Sequence, residues 1–203
     1  MKCLICERFA LELICKDCQI DYLTPQIKER ELITNFFVYS FFDYENVKEL
    51  LYSKYQHIGS CVYKILARNS LAQFATQFVQ NLSAAETIYA TGIDDNPKKG
   101  FSHSAILASS LQATHNEAKI KPLFNILRAN SPIKYANQSY EYRLTHPRDF
   151  VLQKTIKGSV ILVDDIVTSG LTLLEAKDTL TRHDTQTLFA LCLCDLHLEK
   201  GQK

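Results

Sequence analysis

Residues 158–172, GSVILVDDIVTSGLT, constrain this chain more than any other stretch. Val160 to Val163 is an unbroken, mostly β-branched apolar run, which suits a strand buried on both faces of a parallel sheet. Asp164 and Asp165 stand where that strand is expected to end. Thr168, Ser169, Gly170 and Thr172 follow, and Leu173, Leu174, Ala176 and Leu180 then recur at helical spacing. At the carboxyl end of a parallel strand, the turn into the next helix points backbone N–H groups outward and the helix start adds partial positive charge. A phosphate fits there. Gly170 permits close approach or a positive φ, the hydroxyls of Thr168, Ser169 and Thr172 add donors, and Val167 and Leu171 complete the loop. The two carboxylates repel a phosphate. They suit vicinal sugar hydroxyls instead, met directly or through a bound Mg²⁺. An apolar strand ending in paired acids also occurs in Walker-type ATPases and receiver domains, but no G-x-x-x-x-G-K-[ST] precedes it, which argues against an ATPase.

The second constraint lies at the N-terminus. Cys3-x-x-Cys6 and Cys15-x-x-Cys18 are two identical pairs, four of the seven cysteines. Each pair brings two thiolates within reach of one ion, and together they make the closed tetrahedral shell of a structural Zn²⁺. Four protein thiolates leave no open position for water, so catalysis at this metal is not expected. A thioredoxin-like redox pair would need a βαβ context that is missing here. So short a module cannot build a core, and the metal would supply its folding energy, whether it docks on the rest of the chain or touches a nucleic acid.

At 203 residues and 46% hydrophobic content the chain can bury one substantial core and a small appendage. The net charge of +1 gives no global sign of a polyanion partner, but residues 98–157 hold ten Lys/Arg against three acids, about +7. Either this is ordinary surface charge or a basic wall facing phosphates or nucleic acid. No stretch reaches the roughly 18 apolar residues of a membrane span, so the expectation is a soluble, cytoplasmic protein.

Between these landmarks, a polar linker containing Pro25 leads into Asn35 to Tyr44, which reads as strands, as in a hairpin. Apolar residues from Val47 to Val79 then recur at helical spacing. Tyrosines in this arm, among them Tyr52, Tyr55 and Tyr63, read as stacking platforms for bases or as amphipathic core edge. Glu86 to Tyr89 reads as the first strand of the main sheet. Lys98-Lys99-Gly100 suits a mobile loop over phosphates or a solvated basic turn, and a helix is expected from about Ser104. Pro122 to Leu127, Phe150 to Leu152 and Leu188 to Leu196 read as further strands of the sheet. Cys192 and Cys194 share one face of the last and are expected to be buried thiols.

The segment VILVDDIVTSGLT resembles the phosphoribosyl pyrophosphate (PRPP) motif of type I phosphoribosyltransferases: an apolar strand, two acids for the ribose, and a loop around the 5′-phosphate. Along nearly the whole chain, the order of the cysteine pairs, YENVKELLYSKY, KKGFS, NQSYEYR and VILVDDIVTSG resembles the ComF competence proteins, phosphoribosyltransferase-like proteins with an N-terminal zinc finger. Where that family typically has R-G-F-N, this chain has Lys99-Gly100-Phe101-Ser102, which keeps the charge and loses the bidentate fork.

The resemblance implies an α/β fold, a type I phosphoribosyltransferase-like parallel sheet flanked by helices, divided into a zinc-finger module (1–24), a strand/helix arm (34–82) and a phosphoribosyltransferase-like domain (83–203). It implies a PRPP site of Thr91, Gly92, Lys99, Gly100, Asp164, Asp165, Val167, Thr168, Ser169, Gly170, Leu171 and Thr172, loaded with Mg²⁺, with Asp164 and Asp165 as the catalytic acids. Lys98, Lys99, Lys134, Arg143 and Arg148 are the nucleic-acid-binding candidates. The implied role is uptake of transforming DNA, with single-stranded DNA as partner and association with inner-membrane DNA-transport machinery placing a cytoplasmic protein at the membrane periphery. The alternative is an active phosphoribosyltransferase acting on an acceptor that no residue identifies.

Overall fold

The apolar run that dominates the sequence forms the middle of a sheet. The protein is described by a computed structural model covering residues 1–93, 101–131 and 140–197. A short helix, α1 (Lys16–Tyr22), follows the cysteine pairs, and the hairpin β1 (Lys28–Ile33) and β2 (Phe36–Ser40) comes next. The arm is α2 (Tyr44–Tyr52), a 3₁₀ turn (Ser53–Tyr55), α3 (Gly59–Arg68) and α4 (Leu71–Phe78). Then come β3 (Thr87–Gly92), α5 (His103–Ser109), β4 (Ala113–His115), β5 (Ala118–Leu123), β6 (Leu127–Ala129), α6 (Tyr140–Thr145) and β7 (Phe150–Leu152). The chain closes with β8 (Ser159–Val167), α7 (Leu171–Thr181) and β9 (Gln186–Asp195).

Among the described residues the main sheet runs β1-β2-β9-β8-β3-β5-β4. Contacts from β2 through β9, β8 and β3 to β5 are parallel, and an antiparallel strand flanks each end. The fold is therefore mixed α/β with a mostly parallel central sheet, as expected. Strand β8 explains the choice: Ile161 and Val163 enter a core with Leu51, Val62, Leu66 and Leu71 of the arm, while Val160 and Leu162 enter a second core with Leu173, Ala176 and Leu180 of α7. Both faces are covered, so no position in the run could be polar.

Some expectations are corrected. Strand β8 does not stop at the acids but continues through them to Val167. The first strand of the main sheet runs beyond the expected Tyr89 to include Thr91 and Gly92, both implied in the PRPP site. Phe150 to Leu152 pairs with β6 in a separate two-stranded ribbon, outside the main sheet. The polar linker that the sequence predicts contains β1, whose sequence KERELI alternates half-buried and exposed positions as an edge strand does, without an apolar signal.

The cysteine module is docked on the arm. Ile14 and Leu23 are buried in the same core as α3 and α4, Arg68 donates to Glu12 at 2.6 Å and to Gln19 at 3.0 Å, and Asn69 donates to Gln19 at 3.0 Å.

On the far side of the sheet, Arg30 of β1 donates from Nε to Asp195 at 2.6 Å and from Nη2 to the Thr168 carbonyl at 2.8 Å. The pair is buried, with side-chain exposures of 13% and 1%. Truncating one partner of such a pair strands the other charge. Arg30→Ala is accordingly expected to destabilise the fold by about 3–5 kcal/mol in denaturant titration; a loss below about 0.5 kcal/mol, as at an ordinary surface position, would mean that the pair does not hold the hairpin.

Candidate functional site

Strand β3 leads on to β5 on one side and β8 to β9 on the other, so the strand order reverses between β3 and β8. Crevices at the carboxyl ends of strands at such a reversal are where open α/β sheets bind ligands. A cavity of about 480 Å³ lies there, walled by Asp164 to Gly170, Thr172 and Leu173, and closed by Ile93, His103, Arg143, Arg148, Lys54 and Leu196.

The loop after β8 is built for close approach. Gly170 caps α7 with φ 84°, a left-handed conformation that glycine adopts without strain, and a Cβ there would lie 2.7 Å from Leu32 of β1. The hairpin thus covers the outer side of the loop and leaves its inner side to the cavity. Arg143 Nη1 donates to Thr168 Oγ1 at 2.7 Å, and Arg30 holds the carbonyl of the same residue. The cavity therefore has guanidinium groups, hydroxyls and the start of α7 at one end, a combination suited to an oxyanion.

The acids stand at the other end. Asp165 is buried and accepts from Lys54 Nζ at 2.8 Å and from the Tyr63 hydroxyl at 2.9 Å, with His103 Nε2 at 3.8 Å. Burial opposes its ionisation, but Lys54, then His103, outweigh this and hold the carboxyl well below the usual range. Asp164 is pushed the other way, up to about 8, by burial and by the Asp165 charge beside it. The two shifts oppose each other, Asp165 favouring its ionised form and Asp164 its protonated one, and a pair biased in that way offers acceptors and a donor to vicinal hydroxyls. Oxygen atoms of both acids and a ring nitrogen of His103 lie within 4.8 Å of one another, and the oxygen donors suit a hard divalent cation.

Of the expected site residues, Asp164, Asp165, Val167, Thr168, Ser169, Gly170 and Thr172 line this one cavity, and Leu171 opens α7 beside it. Arg143 and Arg148, expected on a nucleic-acid surface, face the same cavity. Thr91 and Gly92 are buried at the end of β3, where a Cβ on Gly92 would meet the Ser104 backbone of α5 at 2.8 Å; Ile93 reaches the cavity instead. Lys98, Lys99, Gly100 and Lys134 lie outside the described residues. Sequence reading missed Lys54, His103 and Arg30. The first two sit within or beside the segments YENVKELLYSKY and KKGFS and could have been found there; Arg30 sits in a stretch with no signal. Tyr63 is fully buried, so it is core and not a stacking platform.

The four N-terminal cysteines also converge, their sulfurs all within 4.8 Å of one another and Cys6 and Cys15 3.7 Å apart. Burial works against ionisation of Cys3, but backbone amides, among them those of Cys15 at 3.3 Å and Ile5 at 3.5 Å, bring its thiol down to about 6. Burial and the neighbouring sulfurs push the Cys18 thiol up to about 12 instead, as suits four sulfurs crowded together, and a closed set of four is fit to bind a tetrahedral metal.

No family model matches the chain, and no curated protein sequence does. Among solved structures it is similar to an adenine phosphoribosyltransferase (14% identity, TM-score 0.41, covering 91% of this chain and 92% of the other). It is also similar to the Saccharomyces cerevisiae adenine phosphoribosyltransferase complexed with D-2,5-dideoxy-2,5-imino-altritol 1,6-bisphosphate and adenine (14%, 0.42, 91% and 91%). A hypoxanthine phosphoribosyltransferase from Staphylococcus aureus aligns over 64% of this chain and 62% of its own at 14% identity and a TM-score of 0.39. At such scores the likeness decides nothing about the site, whose chemistry is carried by its own side chains.

The raised acid gives a pH-dependent outcome. A carboxyl whose folded pKa lies above its unfolded value binds its proton more tightly when folded, so its contribution is neutral below about pH 4 and turns into a penalty that is complete above about pH 8. Asp164→Asn should therefore raise the melting temperature in the absence of added Mg²⁺, and by more at pH 8.5 than at pH 5.5. An equal shift at both pH values would mean that Asp164 ionises normally.

Proposed function

We propose that the cavity binds PRPP, its ribose hydroxyls on Asp164 and Asp165 and its 5′-phosphate in the Thr168–Thr172 loop. One observation carries this reading: the two acids and the hydroxyl-rich loop wall a single cavity, with Lys54 at the acid end and Arg143 at the loop. When bound with PRPP, Mg²⁺ would be held by the carboxylates and would neutralise charge on the pyrophosphate group. The protein's own groups orient the sugar. Lys54 and Tyr63 keep Asp165 ionised and fixed, and Arg30 and Arg143 keep the loop in register. The cysteine cluster would hold structural Zn²⁺.

The resemblance to ComF proteins extends this reading to a competence role in the uptake of transforming DNA, with single-stranded DNA as a partner and the inner-membrane transport machinery as the place of work of a cytoplasmic protein. The alternative, a phosphoribosyltransferase in nucleotide metabolism, uses the same cavity and adds an acceptor.

Titration calorimetry with PRPP and Mg²⁺ should give micromolar binding by the wild type and at least about tenfold weaker binding by Asp164→Ala/Asp165→Ala. Equal affinity in both would end the assignment. Cys15→Ser should lose bound zinc, measured by metal analysis, while PRPP affinity stays. The same variant and the wild type, titrated with an oligodeoxythymidylate at low and high salt, test the partner: binding that falls steeply with salt is expected, and none at low salt excludes it.

A further inference from the structure

Parallel strands of an α/β sheet are ordinarily covered on both faces and read as continuous apolar runs. Strands β3 and β5 pair in parallel, yet β5, with the sequence AKIKPL, alternates: Ala118 and Ile120 are buried, Lys119 and Lys121 exposed. The buried pair joins Leu107 and Ala108 in the core, where α5 lies across β3, β5 and β8. On the opposite face α7 packs on β9 and β7. The same face of β3 and β5 is left to solvent.

The register gathers that face into one patch. Lys119 stands opposite Thr87 of β3 and Thr114 of β4, and Lys121 opposite Tyr89. Two positions along a strand set the lysines about 7 Å apart on one side. Exposed Lys157 adds a third cation where the chain enters β8: Gly158, at φ 136°, passes the Tyr89 ring so closely that a Cβ on it would stand 3.2 Å away. None of these strand positions carries an acid, and neither Lys119 nor Lys121 joins an ion pair among the described residues. The nearest acids along the chain, Glu86 and Glu117, stand just before β3 and β5, and the Glu86 carboxylate accepts from the Ser83 amide at 3.2 Å. The face lies away from the cavity. Lys119 is level with the first residue of β3, whereas the cavity begins past its last, and no residue of the patch lines it.

Given the nucleic-acid partner proposed above, on which this rests, we propose that the open face of β3 and β5 holds a single strand by its phosphates, so that strand and sugar phosphate occupy separate sites together. Lysines are compact point charges that suit phosphate without fixing its orientation. The cores of protein interfaces are instead depleted of lysine and rich in aromatic side chains. The ring on this face, Tyr89, is already packed on the core of β8 and α7. Contacts of this kind follow the backbone and do not read sequence. Arg143 and Arg148 line the cavity, and the strand is left to the lysines of the sheet.

The test is fluorescence anisotropy with labelled oligodeoxythymidylate and a mixed-sequence strand. It compares the wild type, Lys119→Gln/Lys121→Gln, Lys119→Arg/Lys121→Arg and, on the cysteine module, Lys2→Gln/Lys16→Gln. These lysines are exposed, so the variants should fold. Each phosphate contact of a single strand contributes about 0.7 to the slope of log affinity against log salt, so the glutamine pair on the sheet should reduce that slope by about 1.4. It should also weaken both sequences alike at low salt, while the arginine pair keeps slope and affinity and saturating PRPP with Mg²⁺ leaves strand binding unchanged. An unaltered slope in the sheet variant while the wild type binds, or a loss confined to the module variant, would overturn the face and leave the partner standing. Competition by PRPP would overturn it too, by moving the strand into the first cavity. No strand bound by the wild type at low salt would remove the partner itself. Polyglutamate held through Lys119 and Lys121 when neither oligonucleotide binds would overturn the nucleic-acid inference in favour of an acidic protein.

Discussion

The arrangement depends on a carboxylate that has no business being buried unless it is held. Asp165 lies inside a strand, nearly sealed from solvent, and a charge in that position is tolerable only if other groups replace its water. Lys54, Tyr63 and His103 do so, and they come from the 3₁₀ turn, α3 and α5. Three separate elements are thereby fixed around the end of β8. The helical arm is consequently part of the site and not a decoration on it. Moving α3 away would cost the apolar burial of Val62 and Leu66 and also expose a stranded charge.

The opposite flank is held by an independent device of the same kind. Arg30 links β1 to the end of β9 and to the Thr168 carbonyl, while Leu32, two residues along, rests on Gly170. One charged clamp fixes the acid end of the cavity and another fixes the loop end. Since a loop positioned by buried ion pairs has little freedom left, the cost of ordering it is met during folding and not when a ligand arrives. The hairpin closes the sheet for the same reason: β2 lies parallel to β9, and the edge strand β1 brings the arginine to the loop.

The sequence made the centre of the fold legible and its supports opaque. Val160 to Val163 could only be a strand covered on both sides, and the acids and Thr168–Thr172 follow it without a gap, so one local segment encoded half of the site. The paired cysteines were legible for the same local reason. Arg30 was not, because it meets Asp195 over 165 positions and no local pattern marks a charge that a distant strand will bury; Lys54 and His103 had a local sign only in the segments they sit in or beside, and their role at Asp165 shows only across the fold. The strand's continuation to Val167 was missed because paired acids look like an end. They continue it because Lys54 and Tyr63 supply what the sheet interior lacks. The aromatic arm was ambiguous for a further reason: spacing alone cannot tell a tyrosine that fills a core, such as Tyr63, from one left exposed, such as Tyr55.

The cysteine module raises the question of whether a metal held there could influence the site at all. A continuous path exists: Glu12 and Gln19 hold Arg68 and Asn69 at the end of α3, and Tyr63, on the same helix, holds Asp165. A path is not a coupling unless some element along it has two arrangements. Helix α3 offers none that is visible, since Val62, Tyr63, Leu66 and Ala67 are packed in one core with β8 and β9, to which Ile14 and Leu23 of the module add apolar contacts. Disturbance at Arg68 should therefore be absorbed at the end of the helix, where its contacts to Glu12 and Gln19 are polar, before it reaches Tyr63. On that ground the cluster stabilises the arm's outer edge, and the chemistry of the cavity is set by the buried charges around β8.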